Sequence, residues 1–130
     1  MSLTTGGFNT AVGYLSLRSD TTGQFNAAIG AGTLLANTAD ENTATGTGAL
    51  LSNTTGSLNT ANGVDVLFSN TEGGNNTGTG TGALFNNTTG GHNTANGSQA
   101  LYNTTTGVEN IALGVSAGSS LTRRHSHYRQ

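Results

Sequence analysis

The sequence predicts an all-β fold, a parallel β-roll solenoid of about seven 17-residue coils. Three observations support this prediction: a short motif recurs at a nearly constant period, the motif alternates like a strand, and the composition disfavours long helices. The 130 residues include 24 Thr, 21 Gly and 16 Asn. Each Gly costs a helix about 1 kcal/mol relative to Ala, so a helical repeat is excluded.

The repeat is defined by one Asn that recurs in steps of 17, 16, 17, 17, 17 and 17 residues. A Gly follows each Asn by four residues, and in six copies a Leu follows that Gly by four more. The unit is N-T-A-x-G-x-x-A-L-x-x-N-T-T-G-x-x. Residues 1–121 are therefore predicted to form one repeat domain, and residues 122–130 a basic, disordered tail. The coils begin near Asn9, Asn26, Asn42, Asn59, Asn76, Asn93 and Asn110.

Each segment of the unit has its own local prediction. N-T-A-x-G alternates, so Thr10 and Val12 are expected on one face and Ala11 on the other. The arm A-L-x-x-N, such as Ala49 to Asn53, predicts either a second short strand or one helical turn closed by an Asn in the left-handed conformation. T-T-G is turn chemistry. The coils should stack about 4.8 Å apart.

The composition also excludes several classes of protein. The chain has no Cys, so disulfides and thiolate metal sites are excluded. No apolar run approaches the roughly 20 residues of a membrane helix. The net charge of −2 is too small for typical intrinsic disorder. The sequence therefore predicts no cofactor, no nucleic-acid partner and no membrane insertion.

The apolar content of a middle coil is thin, which favours self-association. The coil from Asn76 to His92 offers mainly Ala83, Leu84 and Phe85. One slot, the x of A-x-G, is apolar at both ends of the array and polar in its middle. There are two interpretations of its middle residues: a solvated or stacked Thr/Asn row, or a polar line on a symmetry axis that holds ordered water or an anion. These residues are Thr45, Asn62, Thr79 and Asn96.

The sequence does not predict an enzyme. Asp40 and Glu41 are its only adjacent acids, and a solvated turn explains them more simply than a hydrolytic pair. His92 occupies a slot that tolerates many residue types, which indicates an exposed position and not an activated catalytic base. The Gly pairs lack the Asp of calcium-binding rolls.

Two copies of the motif resemble the head repeats of YadA-like trimeric adhesins: N-T-A-V-G, Asn9 to Gly13, and N-A-A-I-G, Asn26 to Gly30. Each copy is followed by x-x-A/S/T-L and a Gly-containing turn. The whole unit resembles the repeat arrays of bacteriophage tail fibres more closely, over about residues 4–121. The resemblance implies a left-handed parallel β-roll that forms a homotrimer, on an extracellular surface or in a virion tail fibre, as a fragment of a longer fibre. In the middle coils, Asn or Thr replaces the small apolar residue of the family.

The resemblance implies a structural and attachment role, with multivalent binding to a host-surface glycan or protein. The candidate contact positions are the variable slot before each repeat Asn, together with Tyr14, Val64, Asp65 and Gln99 in the loop after the repeat Gly. The variable slot holds Phe8, Phe25, Glu41, Leu58, Asn75, His92 and Glu109.

The alternative function is that of an ice-binding β-solenoid that uses rows of Thr. One such row is Thr10, Thr43, Thr60, Thr77 and Thr94, and a second is Thr54, Thr71, Thr88 and Thr105. Ala27 and Ile111 interrupt the first row. Thr also fills strand positions for its β propensity alone, so the rows do not by themselves decide the function.

Overall fold

The fold was analysed in a computed structural model that describes residues 6–122 and 127–129. Each of the seven copies of the repeat contributes one three-residue strand, and an eighth strand follows the last copy. The strands are β1 (Thr10–Val12), β2 (Ala27–Ile29), β3 (Thr43–Thr45), β4 (Thr60–Asn62), β5 (Thr77–Thr79), β6 (Thr94–Asn96), β7 (Ile111–Leu113) and β8 (His127–Arg129).

The strands form one parallel sheet in the order of the sequence, from β1 to β8. The register follows the repeat, since Thr43 pairs with Thr60 and Ala44 with Ala61. From β1 to β7 the chain makes six turns of a β-solenoid, which confirms the predicted parallel repeat fold. Among the described residues, no helix is long and apolar enough to cross a membrane.

The predicted disordered tail of residues 122–130 is described only in part. Residues 127–129 form β8, which pairs in parallel with β7. Residues 123–126 and 130 lie outside the described residues, as do residues 1–5 at the other end.

The core is built from small side chains and one column of Leu. The middle residue of β2 to β7 is buried, as Ala44 and Ala61 are, and the Leu of the arm is fully buried in six coils. Gly78 replaces the inward Ala in β5, because a Cβ there would lie 2.5 Å from Cγ1 of Val66. The larger Val66 fills that space instead. The buried Leu residues are Leu17, Leu34, Leu50, Leu67, Leu84 and Leu101.

The arm is neither of the two predicted structures. It is a hydrogen-bonded turn, in which the N–H of Asn53 donates to the carbonyl of Leu50 at 3.2 Å. Leu50, and not Asn53, adopts the left-handed conformation, with φ of 52°. Its N–H is thereby directed to the next coil, where it donates to the carbonyl of Val66 at 2.9 Å. Each coil therefore has one strand.

Three positions of every coil adopt positive φ values near 60°. They are the variable slot before the repeat Asn, the second residue after the repeat Gly, and the arm Leu, whose place Gly118 takes in the last coil. No β-branched residue occupies any of these positions, although the chain has 24 Thr. This exclusion has a steric cause, because a β-branched side chain at positive φ is a strong outlier.

A ladder of Asn side chains runs through the interior along the sheet edge. The Nδ2 of Asn59 donates to Oδ1 of Asn42 at 3.1 Å and to the carbonyl of Gly73 at 2.9 Å. The backbone N–H of Asn59 donates to the same Oδ1 at 3.0 Å. From Asn26 to Asn93, each repeat Asn thus fastens its coil both to the preceding coil and to its own turn, which explains why the motif requires this residue.

A second ladder occupies the last residue of the arm. The Nδ2 of Asn70 donates to Oδ1 of Asn53 at 2.8 Å and to the carbonyl of Gly73 at 2.9 Å. In the first coil this position holds Asp20, which is buried and accepts a hydrogen bond from the N–H of Gly23 at 2.7 Å. The two ladders give the thin apolar core a polar complement whose hydrogen bonds are satisfied, except at Oδ1 of Asn87.

The single 16-residue coil keeps both ladders, because its missing residue comes from the turn. The carbonyl of Ala39 accepts hydrogen bonds from Nδ2 of Asn26 at 2.7 Å and of Asn37 at 2.8 Å. The carbonyl of Gly56 has the same role in the next coil. The shortened turn therefore leaves the stacking unchanged.

The second ladder ends at Asn87, and a repair of this end should stabilise the fold. The Oδ1 of Asn87 is buried without a hydrogen-bond partner among the described residues, because the next coil has Thr104 in this position. Thr104→Asn supplies the missing Nδ2 donor. We expect urea denaturation to show a gain of about 1–2 kcal/mol in the free energy of unfolding.

The matched control for this variant is Thr106→Asn, an exposed residue of the same turn. Its effect should stay within about 0.5 kcal/mol. An equal change in the two variants would show that the unpaired Oδ1 has no energetic cost.

Candidate functional site

The outer residues of β1 to β7 form a largely exposed surface along the solenoid, here called the strand face. In β3, β4, β6 and β7 the middle residue is buried and the two flanking residues are exposed. This confirms the predicted alternation. The strand face has two columns, Thr10, Ala27, Thr43, Thr60, Thr77, Thr94 and Ile111, and Val12, Ile29, Thr45, Asn62, Thr79, Asn96 and Leu113.

The structure brings the four residues of the predicted polar line together on the strand face. Thr45, Asn62, Thr79 and Asn96 occupy matching positions of consecutive paired strands. They point away from the buried Ala column, so the row stacks on the outside of the roll and not within it. In the single chain Thr45, Asn62 and Asn96 are exposed and Thr79 is half-buried.

The strand face is apolar in β1, β2 and β7 at its second column. Val12 is 57% exposed and Ile29 46%, and at the other end Ile111 is 43% and Leu113 47% exposed. Side chains of this kind normally lie in the protein core, because burial of large aliphatic side chains contributes most to the free energy of folding. Clustered exposed apolar residues mark surfaces that bind other molecules.

All seven residues of the variable slot are exposed, as their sequence variation indicates. Each has a φ between 56° and 62°, so the column is uniform in backbone although its side chains differ. Phe8 and Phe25 stack in this column, with ring centroids 5.1 Å apart. The variable slot therefore displays different side chains at the constant spacing of the stacked coils.

The acidic residues and His92 do not converge. The Oδ1 of Asp40 accepts a hydrogen bond from the N–H of Gln24 at 2.8 Å, and Glu41 and His92 lie exposed in the variable slot. Within the described part of the chain, no three His, Cys, Asp or Glu side chains are placed to hold a metal ion.

A second aromatic column went unnoticed in the sequence. Phe68, Phe85 and Tyr102 stack with centroid separations of 5.1 and 5.0 Å. Their 17-residue spacing is a signal that could have identified the column. Beside it, Gly82 lies between Asp65 and Gln99, two of the loop positions that the sequence singled out.

The two rows of Thr differ in their availability. Thr43, Thr60, Thr77 and Thr94 are exposed on the strand face. In the turn row, the hydroxyl of Thr54 donates to the carbonyl of Thr71 at 2.9 Å, and that of Thr88 to the carbonyl of Thr105 at 3.0 Å. The turn row therefore serves to stack the coils.

The comparisons with known proteins leave the site to be interpreted from its geometry. The chain matches no protein-family model, no curated protein and no solved structure.

Proposed function

We propose that this domain is the structural and attachment part of a trimeric fibre, on a cell surface or in a phage tail. Three left-handed rolls would lie side by side with their strand faces towards the threefold axis. The role is non-enzymatic: the domain spaces the fibre and presents its outer surface to a host glycan or protein.

The observation that carries the proposal is the strand face. It has no charged residue from β1 to β7, so three copies can approach without repulsion. Association would remove the exposed Val12, Ile29, Ile111 and Leu113 from water at both ends. Between these ends, Thr45, Asn62, Thr79 and Asn96 would meet around the axis and bind one another, ordered water or an anion.

The variable slot supports the attachment role. Its seven exposed side chains lie outside the strand face, so they would remain accessible in the trimer. Three identical columns would engage a surface at several points at once. Linked weak contacts of this kind raise the overall affinity without a tight single site.

Asn62→Arg tests the trimer and its interface together. The chain mass is 13.0 kDa, so a trimer has a mass of 3 × 13.0 = 39 kDa. We expect light scattering to give the trimer mass for the wild type and the monomer mass for Asn62→Arg, because three guanidinium groups cannot share the axis.

The matched control is Thr55→Arg, an exposed turn residue outside the strand face, which should remain trimeric. A wild-type chain that is monomeric at about 0.1 mM, a concentration at which a fibre interface would be saturated, would contradict the proposal.

The second candidate function, ice binding, is favoured by the exposed column Thr43, Thr60, Thr77 and Thr94. Parallel strands space these hydroxyl and methyl groups about 4.8 Å apart, which is the regularity that a lattice-matching surface needs. Both functions use the strand face. A trimer that buries this face cannot bind ice through it. Thermal hysteresis of a monomer would support ice binding, and its absence in a trimer would support the fibre.

A further inference from the structure

The chain has two Asn–Gly pairs, and both begin on the strand face, at the ends of β4 and β6. Asn62 and Asn96 are exposed, and Gly63 and Gly97 follow them with φ of 135° and 142°. The fold requires these Gly residues, because a Cβ on Gly97 would clash with the carbonyl oxygen of Gly114. It does not require the Asn, since the same slot holds Val, Ile, Thr and Leu in other coils.

An Asn followed by Gly is prone to spontaneous deamidation, because no side chain on the Gly hinders its backbone nitrogen. In this reaction the nitrogen of the Gly attacks Cγ of the Asn. The new C–N bond replaces the bond from Cγ to the side-chain nitrogen, which leaves as ammonia together with the N–H proton of the Gly. Water then opens the cyclic imide to aspartate or isoaspartate, so a neutral side chain becomes a carboxylate.

The sheet holds the attacking nitrogen of both pairs. The N–H of Gly63 donates to the carbonyl of Thr45 at 2.8 Å, and the N–H of Gly97 donates to the carbonyl of Thr79 at 2.8 Å. Both Asn residues are themselves paired with a strand on either side, so their extended backbone is fixed. The nitrogen must lose its proton and turn towards the Asn side chain, and the hydrogen bond to the preceding coil prevents both steps.

We propose that Asn62 and Asn96 are deamidation sites that the folded roll keeps unreacted and that react when β4 or β6 leaves the sheet. The rate at each site therefore reports how often its strand opens. This protection depends only on hydrogen bonds within one chain. The effect of the product on assembly rests on the proposed trimer, because the reaction places a carboxylate on a strand face that has no charged residue from β1 to β7.

The test is incubation of the chain in mildly alkaline buffer, both folded and in denaturing guanidinium chloride. Mass spectrometry of the peptides that contain residues 62 and 96 measures the two rates. We expect both sites to react in the unfolded chain and to react at least about a hundredfold more slowly in the folded chain, since interior strands open rarely. Equal rates in the two states would overturn the proposal, and so would the absence of reaction in the unfolded chain.

Thr106→Asn is the matched control, because it creates a third Asn–Gly pair in an exposed turn. In the preceding coil the N–H of Gly90 donates to the carbonyl of Thr105 at 3.4 Å, but the described residues offer the N–H of Gly107 no acceptor. Position 106 should therefore react in the folded chain within about tenfold of its unfolded rate. Equal protection at positions 106 and 62 would show that the hydrogen bond of the Gly is not the cause.

Asn62→Asp places the product of the reaction on the strand face of the folded chain. We expect light scattering to give the monomer mass for this variant, because the carboxylates of three copies would repel one another on the axis. An unchanged trimer would overturn this consequence. The two proposals fail separately: a monomeric wild type with protected sites disproves only the fibre, and a trimer that reacts as fast as the unfolded chain disproves only the protection.

Discussion

Leu50→Ile should destabilise the domain by about 3 kcal/mol, although it leaves the number of side-chain atoms unchanged. Leu50 is fully buried and has a φ of 52°. For an L-residue the left-handed conformation already costs about 1–2 kcal/mol, and branching at Cβ adds a clash with the backbone. The reshaped side chain adds a packing cost of up to about 1.5 kcal/mol. Urea denaturation followed by circular dichroism measures the loss.

The adjacent Leu51 provides the control, since it is half-buried and is not among the residues of positive φ. Leu51→Ile should cost less than about 1 kcal/mol. Leu50→Met keeps an unbranched Cβ and should likewise stay below about 1.5 kcal/mol. If Leu50→Ile and Leu51→Ile had equal costs, the backbone conformation would not be the reason for the Leu column.

Asn59→Asp should cost about 3–5 kcal/mol at neutral pH, the largest effect we expect from a change of one atom. The new carboxylate oxygen would face Oδ1 of Asn42 and the carbonyl of Gly73, to which Nδ2 now donates at 3.1 and 2.9 Å. Two hydrogen bonds would become repulsive contacts around a fully enclosed charge. The free energy of unfolding in urea is the measurement.

Asn75→Asp is the control, because Asn75 is exposed in the variable slot at the end of the same coil and Asp tolerates positive φ. Its effect should lie within about 0.5 kcal/mol. A loss below about 1 kcal/mol in Asn59→Asp would show that water enters the ladder and screens the charge.

The solenoid was predictable because the repeat Asn recurs in the sequence at an almost constant spacing. The alternation of Thr10, Ala11 and Val12 predicted which residues share a face, and the small Ala fits a narrow core. The conformation of the arm was not predictable from propensity, since Leu rarely adopts positive φ and local rules assign that role to Asn. The sequence does carry a sign of this conformation, which is an absence: three slots of each coil lack Thr, Val and Ile in a chain rich in Thr.

The position of the Asn ladders was hidden for a related reason. Composition rules place Asn in turns and on surfaces, yet Asn42 and Asn59 are buried. Burial becomes favourable only when identical amides stack at every turn, so it depends on the fold as a whole. For the same reason, the sequence marked Asp65 and Gln99 as separate loop residues, and only the stacking of coils places them on either side of Gly82.

The stacking of coils has a mechanical consequence when the two ends of the solenoid are pulled apart. The hydrogen bonds between coils run along the long axis, and β1 and β8 lie at opposite ends of the sheet. A pull on the two ends therefore opens one coil at a time, as when a spring is drawn out from its last winding. Each opened coil lengthens the chain from about 5 Å to about 55 Å, while the remaining windings stay intact.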